Sequence, residues 1–137
     1  MATEFTELEI SHLQDVKKVM KYADYLFYVL LLIMAVILTC HRKNKELIFQ
    51  LLNYGGKFTV ITTIFLGIVS LLFFDLIFSL FHLLFFPHGN WLFAADSLLI
   101  QTFPLDFFVT VSRNIFVLTI SLGILFILSE YSKDYVF

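Results

Sequence analysis

Polar and apolar positions in this chain fall into long blocks. Residues 3–22 form an amphipathic lead in which Leu8, His12, Val16 and Val19 recur at helical spacing, with Leu13 and Met20 alongside. Glu9, Asp15, Lys17 and Lys18 lie elsewhere on that helix surface. Thr6-Glu7-Leu8-Glu9 fits a capping box, with Thr6 as N-cap and Glu9 reaching back from the third helical position. An apolar block over 23–40 follows and predicts a first span. It closes on the basic cluster His41-Arg42-Lys43-Asn44-Lys45, and a short amphipathic helix over 46–54 stops at Gly55-Gly56.

The second apolar run, Phe58 to Phe86, is too long for one upright span. At helical rise it reaches roughly 43 Å, against a hydrocarbon core of about 30 Å. It must tilt, bend or end in an interfacial segment, and the expected place is 81–86. That gives a second span over 58–80 and an interfacial loop over 81–103. A third span runs over 104–129, with Pro104 suited to the first helical position, and 130–137 is a short tail. The pattern predicts an all-α, polytopic membrane protein of one membrane domain (1–137), with three transmembrane helices plus an N-terminal amphipathic helix.

Composition agrees. Of 137 residues, 60% are hydrophobic and 15% charged, where a soluble domain is nearer a quarter charged. The 18 phenylalanines suit lipid contact better than a small aqueous core. A net charge of -2 gives no support for nucleic-acid binding, and one cysteine, Cys40, excludes an intrachain disulfide and a cysteine-based metal cage. Charges throughout the first twenty residues argue against a cleavable leader. The first connection, 41–57, holds Arg42, Lys43, Lys45 and Lys57, whereas 81–103 holds no Lys or Arg. By the positive-inside rule the first connection is cytoplasmic and the second external. The lead is then external too, although Lys17, Lys18 and Lys21 pull the other way. His12, His82 and His88 are all expected on the outer side of the cell membrane.

Asp75, Ser79 and His82 share one helix face, and Asp106 and Arg113 share another. Asp75 and Arg113 come out at similar depth, so an ion pair between the second and third spans is expected, either as a structural clamp or as a shaper of a site. Histidine is the side chain best suited to proton transfer near neutral pH. Read singly, His82 is an interfacial residue hydrogen-bonded to a neighbour, His12 a solvent-facing helix residue and His88 a turn residue. Trp91 is an interfacial anchor. No nucleophile elbow, phosphate loop or metal-binding motif is present, and neither a cofactor nor a metal site is expected.

Two motifs resemble the lipoprotein intramolecular transacylase family of integral membrane proteins. Glu9-Ile10-Ser11-His12-Leu13-Gln14-Asp15-Val16-Lys17 looks like the family's Glu-x-x-His-(Leu/Met)-x-Asp-Val-Lys motif. Phe81-His82, Phe85-Phe86, Asn90-Trp91 and Pro104-x-x-Phe107-Phe108 look like its second signature. The resemblance implies an enzyme that moves the sn-2 acyl chain of a lipoprotein's diacylglyceryl group to the α-amine of the N-terminal cysteine. It makes His12 and His82 the catalytic acid–base pair. Glu9 or Asp15 would orient His12, and Asp75 or Ser79 would orient His82, with Asn90, Trp91 and Arg113 as further supporting residues.

The implied partners are membrane lipid and a diacylated lipoprotein. The family also has a further span ahead of the matching region, which a partner chain could supply here. From the residues alone, a non-catalytic membrane subunit or assembly factor is the competing reading. A small transporter is a weaker one, since three spans are few and no second repeat half is visible.

Overall fold

The computed structural model describes residues 4–130. Five helices follow in order: α1 (Glu7–Cys40), α2 (Lys45–Leu72), α3 (Phe74–Phe85), α4 (Leu98–Thr102) and α5 (Leu105–Ser129). Among the described residues there is no strand. α1, α2 and α5 are long and apolar enough to cross a membrane. The expected all-α class with three spanning helices is therefore observed. The tail beyond Glu130 and residues 1–3 lie outside the described residues.

The amphipathic lead and the first span are one helix rather than two. α1 has 34 residues, about 51 Å at helical rise, well beyond a 30 Å core. Nothing in 20–25 breaks a helix, so the change from charged to apolar surface occurs within a continuous rod. Its first turn carries the expected capping box: Thr6 N and Oγ1 donate to Glu9 Oε2 at 2.7 and 2.8 Å, and Glu9 N donates to Thr6 Oγ1 at 3.3 Å. Asn44 caps α2, accepting from Leu47 N at 3.0 Å. α5 begins just after Pro104.

Two expected boundaries differ. α2 runs straight through Gly55-Gly56, because Gly56 is a contact point and not a stop. A Cβ there would lie 2.5 Å from the Gly123 carbonyl oxygen and 3.0 Å from Ile127 N. A Cβ on Gly123 would in turn meet Val60 Cγ2 at 2.7 Å. Beside them the buried Asn53 donates through Nδ2 to Ile127 O at 3.1 Å. Glycine at this crossing lets α2 and α5 approach backbone to backbone, the device that substitutes for hydrophobic association between helices in lipid.

The long apolar run divides at Phe73, not at 81–86. Phe73 (φ -130, ψ 39) separates α2 from α3, and α3 stays helical through Phe85. No Gly or Pro marks that point.

The chain forms two compact units. One consists of residues 4–28 with 73–111, and the other of 29–72 with 112–130. The second contains the α2–α5 crossing. The first contains the leading turns of α1, α3, the loop 86–97 and α4, and it holds nearly all the polar residues singled out above.

Candidate functional site

α1 sets the first histidine. The cap fixes the first turn, and one turn on from Leu8 His12 is brought inside, 9% exposed. Glu9, 1% exposed, anchors the same turn. Its second oxygen, Oε1, accepts the Leu99 backbone N–H at 2.8 Å and so ties α4 to α1. Ser97 caps α4 from the other direction, accepting from Ile100 N. Those backbone donors hold the Glu9 carboxyl below its ordinary range, Thr6 contributing most and Leu99 next.

α3 sets the second. His82 Nδ1 lies 2.7 Å from the Phe78 carbonyl oxygen, one turn back on its own helix. A carbonyl only accepts, so the proton of a neutral ring sits on Nδ1 and Nε2 carries the lone pair. The His12 and His82 rings stack at 16°, with centroids 6.3 Å apart. Aromatic rings enclose the pair. Phe86, 3% exposed, lies 4.7 Å from His12 and 5.5 Å from His82, Phe93 is 5.5 Å from His12, and Phe78 and Trp91 are 4.0 and 4.8 Å from His82. The turn that returns the chain from α3 begins with Pro87 and closes with Gly89 N donating to Phe86 O at 3.1 Å. Gly89 has φ 72, a left-handed conformation that a side chain would strain.

Asn90 joins this loop to α1. Its Nδ2 donates to Ser11 Oγ and to Asp15 Oδ2, each at 3.1 Å, and Asp15 Oδ1 also holds Lys18 Nζ at 2.8 Å. Lys18 and then Asn90 lower the Asp15 carboxyl. His12 stands in the charged leading turns of α1, ahead of its apolar span. Burial above all, and then the neighbouring His82, push it below the ordinary histidine range, while Asp15 pulls it back up. His12 Nδ1 and Asn90 Oδ1 are buried without a hydrogen-bond partner among the described residues.

Of the expected residues, His12, His82, Glu9, Asp15, Asn90 and Trp91 come together in the first unit. Glu9 and Asp15 spend their oxygens on Thr6 and Leu99 and on Lys18 and Asn90, and the Phe78 backbone carbonyl takes the orienting role considered for Asp75 or Ser79. Asp75 is exposed on α3, Ser79 is half-buried there, and Arg113 belongs to the second unit. Their supporting roles and the Asp75–Arg113 pair remain expectations. Sequence reasoning missed Ser11, Phe86, Phe93 and the Phe78 carbonyl. Ser11 and Phe86 stand inside the quoted motifs, but a backbone carbonyl leaves no mark in a sequence.

Three helices able to cross a membrane, with stacked histidines in an aromatic shell, fit a multi-pass membrane protein with a polar candidate site. The chain belongs to the lipoprotein intramolecular transacylase (Lit) family, whose model matches residues 1–108, the region containing both histidines. It is also similar to an uncharacterised protein of Aquifex aeolicus (strain VF5), 29% identical over 121 residues that cover 88% of this chain and 54% of the relative. The chain spans about half the length of that relative. No solved structure matches it.

Proposed function

We propose that the chain performs intramolecular acyl transfer on a diacylated lipoprotein at the external face of the cell membrane. The acyl chain leaves the sn-2 oxygen of the diacylglyceryl group and joins the α-amine of the N-terminal cysteine. The observation that carries this reading is the His12–His82 stack, 6.3 Å between centroids, a spacing that suits two rings serving one reacting centre.

The amine nitrogen attacks the sn-2 ester carbonyl, forming an N–C bond. One N–H proton passes to His82 Nε2, the ring atom left with a lone pair by the Phe78 carbonyl. The acyl C–O bond then breaks, and the histidine pair hands the proton to the departing sn-2 oxygen, with His12 as the acid partner. One proton moves, one bond forms and one breaks, and no covalent enzyme intermediate is required. Nucleophile and ester belong to one molecule, so positioning supplies much of the acceleration. The phenylalanine- and leucine-rich surfaces supply an apolar surround for the acyl chains.

The test is mass spectrometry of lipoprotein N-terminal peptides from cells expressing the protein. N-acyl S-monoacylglyceryl cysteine is expected with the wild type and lost with His82→Ala. Undiminished product in the variant overturns the assignment. A protein that instead copurifies with a stable membrane partner and leaves lipoproteins unchanged is the non-catalytic subunit.

A further inference from the structure

Asn90 is held so that its amide can face only one way. Asp15 is an acceptor, so the Asn90 atom 3.1 Å from Asp15 Oδ2 is the amide nitrogen, and its second N–H goes to Ser11 Oγ. Both amide hydrogens are thus spent on α1. The carbonyl oxygen, Oδ1, is left buried and without a partner among the described residues. A second such atom, Nδ1 of the nine-tenths buried His12, lies on the same turn of α1 between Ser11 and Asp15. On the other side of Asn90 the chain continues into Trp91, whose ring lies tilted against His82 with centroids 4.8 Å apart. A buried amide oxygen with no donor is costly. One fixed by Ser11 and Asp15, the residues on either side of His12 along α1, calls for a ligand that brings a hydrogen.

The chemistry of the attacking group says which. A primary amine spends its lone pair on the ester carbon and has two N–H bonds left. One proton leaves to the base, and the other stays on nitrogen and survives in the amide product. An alcohol has one O–H, which must go to the base. Building on the acyl-transfer reading, we infer that Asn90 Oδ1 accepts the N–H that the substrate amine keeps, making Asn90 a substrate-binding residue that selects a primary amine over an alcohol. Ser11 and Asp15 act as positioning residues that aim it.

The test uses two synthetic peptides whose N-terminal cysteine carries two ether-linked chains, so that neither reacts. One has the α-amine and the other an α-hydroxyl of nearly the same size. Binding to the detergent-solubilised full chain is measured above about pH 8, where the amine is largely neutral. The wild type is expected to prefer the amine roughly tenfold, the scale of one buried hydrogen bond, and Asn90→Ala by less than about twofold on the same basis. If Asn90→Ala does not fold, the exchange Asn90→Asp with Asp15→Asn decides. It restores a donor–acceptor contact between the two positions and leaves one oxygen free, so the preference must persist.

Full preference in Asn90→Ala, or its loss in a folded exchange variant, overturns the inference. The ester-linked amine peptide separates the two layers. Conversion by the wild type with unchanged preference in Asn90→Ala overturns this inference alone. Neither conversion nor preference in the wild type overturns the acyl-transfer reading along with it.

Discussion

Glu9 Oε1 accepts the backbone N–H of Leu99, 90 positions later, at 2.8 Å, while Oε2 closes the cap on Thr6. One carboxylate thereby starts α1, anchors α4 and fixes the turn that carries His12. Removing it leaves several donors unpaired in a buried place. Glu9→Ala is expected to lower the thermal midpoint in detergent and to reduce activity. Glu9→Gln, which keeps one oxygen but turns an amide toward a donor, should fall between Ala and wild type. An unchanged midpoint for Glu9→Ala would show that the contact carries no weight.

The histidine pair predicts a rate effect separable from stability. Positioned acid–base groups typically contribute on the order of 10²–10⁴-fold. His12→Ala and His82→Ala should each cut formation of the N-acyl product by that order. On the proposed mechanism the two act on one proton, so the double variant should fall little further than either single one. Thermal midpoints in detergent check that the variants remain folded.

Titration of His12 can be followed by NMR without any substrate. It is expected below the ordinary histidine value of about 6.5, because burial disfavours its charged form. His82→Gln should move it up, since a neighbouring positive charge is removed, and Asp15→Asn should move it down, since a favourable negative charge is lost. The neutral form of His12 is then retained as pH falls through 6.5 and lost only as pH passes through the lowered value. Shifts of the opposite sign would contradict the electrostatic account.

Two adjacent glycines should respond oppositely to the same substitution. A Cβ at Gly55 meets nothing within 4 Å, so Gly55→Ala should be neutral or stabilising by up to about 1 kcal/mol through helix propensity. At Gly56 the same methyl would stand 2.5 Å from the Gly123 carbonyl oxygen, a backbone atom that cannot swing aside. Gly56→Ala should therefore lower the thermal midpoint clearly. Comparable midpoints for the two variants would show that the helices do not pack at this point.

Much of this was legible from residue order, because its causes are local. Block hydropathy determined three helices able to cross a membrane, and Thr6-x-x-Glu9 determined the start of α1. The two motifs pointed to His12 and His82. Tertiary structure decided what local signals do not encode. Gly55-Gly56 is a stop signal in isolation, yet helix packing makes Gly56 an interior contact. The run 58–86 divides at Phe73, with no Pro or Gly there, and α3 with its C-cap then sets His82 and Phe86 against His12 from the start of the chain. Carboxylates at helical spacing looked like partners for the histidines, but stronger backbone and side-chain donors took Glu9 and Asp15. The tautomer of His82 depends on a main-chain carbonyl, which every residue has. Only the folded geometry selects which carbonyl a ring will meet.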